Sequence, residues 1–230
     1  MRNIRKERTQ IVKRKSEATK TYKFFYFVFA KIVGCLFKIK VVNPENEPDE
    51  GKFLVCSNHI AASDAVKMCY AFRKHQVRLM AKKELFKIPL LSTLIKILGA
   101  FPIDRSGSDV GAIKKAVEML KEGKCVGIFP QGHRYPCVNP RSTETKNGAA
   151  LIATRAEADI VPIYVWTKNN KPKVFKRTYV IIGERIPFDS LNYDPDGTGE
   201  YKRITDAVFD KICLLGESFD PDQFKKGKKK

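Results

Sequence analysis

The sequence predicts a single α/β domain, in which one mixed, largely parallel sheet is flanked by helices. Short apolar runs rich in β-branched residues alternate with longer segments whose apolar residues recur at helical spacing. Most of the short runs are continuously apolar, which is typical of strands covered on both faces. The length of 230 residues is enough to bury one core, and a second full domain is not expected.

The same patterns locate the individual elements. Strands are expected at 40–42, 53–56, 77–80, 125–129, 160–165 and 179–182, and helices at 24–37, 64–74, 85–98, 108–123, 145–157 and 202–215. The helix that begins at Ser108 has the clearest pattern, because Ser is a favoured N-cap and Gly123 supplies a C-terminal stop. This alternation of strands and helices is the basis for the α/β assignment.

The formal net charge is +19, and it is concentrated at the two ends of the chain. The clustered cations are Arg2, Arg5, Lys6, Arg8, Lys13, Arg14, Lys15 and Lys20 at the start, and Lys225, Lys226, Lys228, Lys229 and Lys230 at the end. Such charge predicts anionic partners. Nucleic acid, an anionic membrane face, a phosphorylated substrate and an acidic carrier protein all satisfy it, so charge alone does not choose among them.

Residues 24–37 form the most apolar segment, which is interrupted by Lys31. The segment is shorter than the roughly 20 apolar residues that span a bilayer, and its long basic lead-in does not fit a signal peptide. An aromatic helix in the membrane interface is predicted, with the preceding cations attracted to anionic headgroups by about 1 kcal/mol each. The alternative is a core helix with a solvated tail.

We therefore divide the chain into three parts. Residues 1–45 are expected to form a basic tail and a membrane-associating helical segment, 46–220 the α/β domain, and 221–230 a lysine-rich tail. The expected location is the cytoplasmic face of the cell membrane, with peripheral or monotopic attachment. The six cysteines lack Cys-x-x-Cys spacing and are expected to be buried free thiols in a reducing compartment. No metal site is expected, and His75 is expected on the solvated surface.

His59 and Asp64 are a candidate acid–base pair. They follow the strand predicted at 53–56 and precede the helix predicted at 64–74, so one short loop can present both side chains. A neutral imidazole can take a proton from a hydroxyl, and a carboxylate on its far nitrogen fixes the tautomer and stabilises the imidazolium. The spacing alone also fits a chance pair in a loop.

Three further cations lie at strand or helix ends. Arg105 and Arg134 each stand in a loop after an apolar run, and Lys82 follows the strand predicted at 77–80. A guanidinium can donate two parallel hydrogen bonds to phosphate oxygens, and strand-to-helix junctions are where open α/β sheets place ligands. A surface ion pair is the alternative for each Arg taken singly, but the joint placement favours a phosphorylated ligand.

Four ordered motifs carry a resemblance to the glycerolipid acyltransferase family. They are Asn58-His59-x-x-x-x-Asp64 (the HX4D motif), Gly99-x-Phe101-x-Ile103-Asp104-Arg105, Phe129-Pro130-Gln131-Gly132-x-Arg134 and Ile160-Val161-Pro162-Ile163. The segment 81–89 is similar to the same family, and the resemblance runs from about residue 50 to 187. Four motifs in order are far more specific than any one of them.

The resemblance implies an enzyme of phospholipid synthesis. It would move a fatty acyl group from acyl-CoA or acyl carrier protein to the free hydroxyl of 1-acyl-sn-glycerol-3-phosphate, without a covalent intermediate or a cofactor. His59 would be the general base and Asp64 its orienting partner. The residues implied in substrate binding are Asn58, Lys82, Arg105, Gln131, Gly132, His133 and Arg134.

The third motif departs from the family pattern, which usually reads Phe-Pro-Glu-Gly-Thr-Arg, because Gln131 and His133 replace the acid and the threonine. Gln retains hydrogen-bonding capacity without the negative charge, so acceptor preference is open. The alternatives are an acyltransferase for another lysophospholipid or glycolipid acceptor, an inactive or specialised member, and a basic membrane- or nucleic-acid-binding module. Nucleic acid is not an expected partner, because no recognisable nucleic-acid-binding motif is present.

Overall fold

A seven-stranded sheet organises the chain. The computed structural model describes residues 20–103 and 110–223, with side chains from Tyr26 onward. The strands are β1 (Ile39–Val42), β2 (Phe53–Ser57), β3 (Val77–Lys82), β4 (Phe101–Ile103), β5 (Cys125–Ile128), β6 (Asp159–Trp166) and β7 (Thr178–Ile182), in the order β1-β7-β6-β2-β5-β3-β4. Neighbours pair in parallel except β6 and β7, which are antiparallel.

Helices cover both faces of this sheet. They are α1 (Lys20–Phe37), α2 (Asp64–Ala71), α3 (Leu91–Ile97), α4 (Val110–Lys121), α5 (Gly148–Ala156) and α6 (Glu200–Glu217). Short 3-10 turns lie at Pro44–Asn46, Lys83–Lys87, Pro140–Ser142, Lys168–Asn170 and Phe188–Leu191.

Two apolar cores result from the alternation of side chains along each strand. In β2, Phe53 and Val55 join a core with α1 and α2, whereas Leu54 and Cys56 join the core formed with α4, α5 and α6. Because both faces of the central strands are buried, their sequences are continuously apolar. The predicted mixed, largely parallel sheet with flanking helices is thus confirmed.

Two elements differ from the sequence-based expectation. Strand β4 was not predicted, because it has only three residues, carries Pro102 at its centre and pairs solely with β3 at the sheet edge. The helix expected at 85–98 is instead a 3-10 turn followed by α3, since Pro89 and the positive φ of Leu90 interrupt it. The expected N-cap Ser108 lies outside the described residues.

Helix α1 packs one side on the domain and exposes another. Phe29 and Val33 are buried in the core, and the Tyr26 hydroxyl donates to the backbone oxygen of Tyr70 at 2.7 Å. Phe27 and Ile32 are more than half exposed. Within residues 20–103 and 110–223, no helix has the length and apolar character that crossing a bilayer requires. The adjoining β1 belongs to the sheet, and the proposed division at residue 45 stays a prediction.

Two expectations about single residues were wrong. All six cysteines are free, but Cys35 and Cys137 are exposed rather than buried. His75 is only 4% exposed, because its ring packs on Phe53 and its Nδ1 lies 3.3 Å from the buried carboxylate of Glu47. Of the basic ends that were expected to meet anionic partners, residues 1–19 and 224–230 lie outside the described residues.

Candidate active site

The predicted site residues gather at one edge of the sheet. The adjacent parallel strands β6, β2, β5, β3 and β4 all end at this edge, so the loops that follow them are neighbours. His59 follows β2, Gln131 follows β5, and Lys82 is the last residue of β3. Arg105 follows β4 in sequence, but it lies outside the described residues. Carboxyl edges of parallel strands are the usual place for ligands in open α/β sheets.

His59 and Asp64 form a buried dyad. Nδ1 of His59 lies 3.2 Å from Oδ2 of Asp64, and the two side chains are 9% and 0% exposed. The same carboxylate oxygen accepts hydrogen bonds from the backbone N–H groups of Ile60 at 2.7 Å and Ala61 at 2.6 Å. These bonds stabilise the turn before α2. Nε2 is therefore the ring nitrogen left to meet a substrate hydroxyl.

Burial by itself would raise the pKa of the Asp64 carboxyl. The hydrogen bond from His59, the nearby charge of Lys67 and the N–H of Ala61 outweigh that effect and hold the pKa below its ordinary value. Asp64 is therefore ionised at neutral pH and can orient and stabilise the imidazolium that forms when His59 takes a proton.

Two contacts of this dyad were missed by sequence reasoning. Nζ of Lys67 lies 3.1 Å from Oδ1 of Asp64 and is itself buried. The His59 ring stacks on Phe129, with centroids 3.8 Å apart and an interplanar angle of 12°. A signal for Lys67 was present, because a single lysine three residues after an acid interrupts an otherwise apolar helix face.

Gln131 holds the backbone of His59. Its Oε1 accepts the N–H of His59 at 2.6 Å, and its Nε2 donates to the hydroxyl of Thr143 at 2.7 Å. Gln131 is 1% exposed, and each end of its amide has a protein partner. In this structure the residue positions the dyad, and its predicted part in substrate binding stays a prediction.

Asn58 has a similar role on the other side of His59. Its Oδ1 accepts the N–H of Val165 at 2.7 Å, and its Nδ2 donates to the oxygen of Val165 at 3.1 Å. The side chain is fully buried. This pair of hydrogen bonds fastens the loop after β2 to strand β6, and Asn58 is thus a positioning group in the structure.

The other predicted residues that the structure describes are exposed. His133 and Arg134 lie on the surface, and the N–H of Tyr135, next to Arg134, donates to the His59 oxygen at 2.8 Å. Gly132 has φ +69°, and a Cβ there would lie 2.9 Å from the Lys146 side chain, so glycine is required at this turn. Lys82 is solvent-exposed, with Nζ 3.8 Å from Glu84.

The family of this chain follows from its similarity to known proteins. A family model described as Acyltransferase matches residues 38–166, which contain the dyad and the Gln131–Arg134 loop. The chain belongs to the acyltransferase family.

Relatives of this acyltransferase share a common name. The chain is 33% identical over 201 residues to the 1-acyl-sn-glycerol-3-phosphate acyltransferase of Bacillus subtilis, which covers 86% of this chain and 98% of that protein. It is 27% identical over 206 residues to the protein of the same name in Saccharomyces cerevisiae, covering 86% and 67% respectively.

A solved structure has the same fold. The crystal structure of the 1-acyl-sn-glycerophosphate (LPA) acyltransferase, PlsC, from Thermotoga maritima aligns with a TM-score of 0.67 at 21% identity, covering 86% of this chain and 80% of that one. The family model and the named relatives confirm the expected resemblance to glycerolipid acyltransferases.

Proposed function

We propose that this acyltransferase moves a fatty acyl group from a thioester donor to the free hydroxyl of 1-acyl-sn-glycerol-3-phosphate, giving phosphatidic acid. The observation that carries the proposal is the buried His59–Asp64 dyad at the carboxyl edge of the sheet, with Nδ1 on the carboxylate and Nε2 left for substrate. The names of the relatives and the length over which they match support the same acceptor.

The reaction follows from the dyad. His59 Nε2 takes the proton of the acceptor hydroxyl while the hydroxyl oxygen attacks the thioester carbonyl carbon. Asp64 stabilises the imidazolium that forms. The tetrahedral intermediate collapses by breaking the C–S bond, and the leaving thiolate receives the proton from His59. The protein needs no covalent acyl intermediate and no cofactor in this scheme, since acyl-CoA or acyl carrier protein is a co-substrate.

Binding of the acceptor is assigned to three cations in or beside the motif loops. We propose that Arg134, Arg105 and Lys82 hold the acceptor phosphate, because a guanidinium matches two phosphate oxygens and an ammonium adds a point charge. Arg134 is exposed and adjoins Tyr135, whose N–H is bonded to His59. Gly132 and His133 complete the loop that would face the acceptor.

Because the proposed acceptor is a lipid, the reaction is expected at a membrane surface. We propose peripheral or monotopic attachment at the cytoplasmic face, through helix α1 and the basic residues that precede it. The exposed apolar side chains of α1, including Phe27 and Ile32, support this assignment, as does Lys31, whose Nζ lies 4.3 Å from the Phe27 ring centroid.

The test is acyl transfer by purified wild-type protein and His59→Ala, with acyl-CoA and with acyl carrier protein as donors. We expect kcat to fall by about 10²–10⁴ in the variant, which is the usual contribution of general-base catalysis, at nearly unchanged KM. Asp64→Asn should lose much of the same activity, while Asp49→Asn is a matched surface control. Wild-type rates in a folded His59→Ala protein would refute the assignment.

A panel of acceptors tests the substrate separately. We expect 1-acyl-sn-glycerol-3-phosphate to exceed lysophospholipids with a substituted phosphate, because the proposed cations need an accessible phosphate monoester. Preference for another lysophospholipid or a glycolipid would retain the reaction class and replace the acceptor. That alternative is kept because Gln131 and His133 replace the acid and the threonine of the usual family motif, and this change can alter acceptor preference.

A further inference from the structure

The connection between β6 and β7 concentrates positive charge near the site. We call residues 167–177 the basic hairpin loop; its cations are Lys168, Lys171, Lys173, Lys176 and Arg177, and it contains no acidic residue. All five cations are exposed, and none forms an ion pair with another part of the chain that the structure describes. The loop therefore presents uncompensated charge to its surroundings.

An apolar tip stands among these cations. Val174 is 56% exposed and Phe175 is 58% exposed. The backbone of Phe175 has φ +59°, which is unfavourable for an aromatic residue, so the fold holds this side chain outward at an energetic cost. Exposed apolar residues flanked by cations are the combination found in segments that lie in a membrane interface.

Backbone hydrogen bonds place the loop between α1 and the active site. The N–H of Phe175 donates to the oxygen of Leu36, near the end of α1, at 2.6 Å. The N–H of Cys137, shortly after the Gln131–Arg134 motif, donates to the oxygen of Asn170 at 2.9 Å. The loop tip, Val174 and Phe175, therefore lies on the same side of the domain as α1 and the loop that carries the Gln131–Arg134 motif. A membrane that contacts the tip is close to both.

The cations also surround open space. A cavity of about 730 Å³ lies between the loop and the segment that follows α6, with Trp166 and Tyr179 in its wall and Asp222 as the acid among the residues that line it. Because all five cations of the loop line this cavity, an anionic group that enters it meets several of them together.

We propose that the basic hairpin loop is a second membrane-contacting element. Val174 and Phe175 enter the headgroup region of an anionic bilayer, and the surrounding cations bind lipid phosphates. The apolar tip and its hydrogen bond to α1 favour a lipid surface over an acidic carrier protein, for which the cations alone would suffice. The contact adds to attachment through α1 and orients the dyad toward the lipid acceptor of the proposed reaction.

The first experiment reports on the loop tip itself. Trp166 is the single tryptophan of the chain, so Trp166→Phe provides a background in which Phe175→Trp is the sole reporter. Phosphatidylglycerol vesicles with brominated acyl chains should quench its fluorescence. Leu214→Trp in the same background is the matched control, because Leu214 is a similarly exposed apolar residue on α6, at 51%. Quenching at position 175 no stronger than at position 214 would overturn the proposal.

The second experiment removes charge. We compare Lys171→Gln/Lys173→Gln/Lys176→Gln with Lys114→Gln/Lys121→Gln/Lys211→Gln, which removes the same charge from exposed positions on α4 and α6. Partition onto phosphatidylglycerol vesicles should weaken about fivefold per loop cation, hence on the order of a hundredfold for the three. The control should change it far less.

Two outcomes of this comparison count against the loop. Equal losses in the two triple variants would mean that the loop cations have no special role. Unchanged vesicle binding, together with a raised KM for acyl carrier protein in the loop variant, would assign the surface to a protein partner. The vesicle measurements do not depend on acyl transfer, so their failure is separate from failure of the proposed reaction.

Discussion

Nζ of Lys67 lies 3.1 Å from Oδ1 of Asp64, and the two side chains are 1% and 0% exposed. This ion pair shares its carboxylate with His59, which approaches Oδ2. Buried charges are costly unless they are paired and hydrogen-bonded. Asp64 meets that condition because Lys67 and the N–H groups of Ile60 and Ala61 all donate to it. The proposed catalytic dyad therefore depends on a lysine of helix α2.

Lys67→Met should destabilise the protein and lower kcat. Removing one partner of a buried ion pair typically costs about 3–5 kcal/mol, because the other charge is left uncompensated. Urea unfolding measures the loss, and Asp64→Asn should show a loss of similar origin. The double variant should be destabilised by less than the sum of the two, since neither charge remains. Additivity within about 0.5 kcal/mol would contradict a direct interaction.

Stability should decline in acid partly through Asp64. The folded-state pKa of this carboxyl lies below its ordinary value, so the stabilisation is present above the unfolded pKa, about 3.9, and is lost as pH falls through the folded pKa. Urea unfolding from neutral pH to about pH 3 should therefore show the difference between wild type and Asp64→Asn shrinking below about pH 4. If the difference in free energy of unfolding between wild type and Asp64→Asn did not change with pH, the folded-state pKa of Asp64 would not be lowered.

Gln131 variants separate its two hydrogen bonds. Gln131→Ala leaves the buried N–H of His59 without its acceptor, which should cost about 1–3 kcal/mol and lower kcat. Gln131→Glu keeps an acceptor for that N–H and should retain most of the activity. Thr143→Val is the comparison variant, because it removes the partner of Nε2, together with the bond from that hydroxyl to the Pro140 oxygen, and leaves the acceptor of the His59 N–H in place. Thermal unfolding and kcat distinguish the three, and a fully active, equally stable Gln131→Ala protein would argue against a positioning role.

Thiol reactivity should divide the six cysteines into two groups. Cys35 and Cys137 are exposed, whereas burial raises the pKa of Cys69 to about 12 and that of Cys213 to about 11, and raises those of Cys56 and Cys125 further. An aromatic disulfide reagent should therefore titrate two thiols rapidly in the native protein and all six in denaturant. Rapid reaction of more than two would indicate a more open core.

Local patterns were sufficient for most of the fold. Each predicted strand is present to within two residues at either end, because a continuously apolar run of β-branched residues is a signal carried by adjacent positions. Strand β4 lacks such a run and exists through its pairing with β3, in which Met80 is opposite Phe101. The burial of His75 also depends on a residue distant in sequence, because its partner Glu47 is 28 residues away, and the local pattern therefore did not predict it.

The sequence by itself determined six of the seven strands, the placement of the loops after β2 and β5 at one sheet edge, and the proximity of His59 to Asp64, because these depend on short spacings and on the common direction of parallel strands. Only the tertiary structure decided how the dyad is held. Asn58 bonds to a residue 107 positions away and Gln131 to one 72 positions away, and both side chains position the backbone around the dyad. Such contacts arise when strand pairing brings distant backbone groups together in a buried site, where each unpaired polar atom is costly.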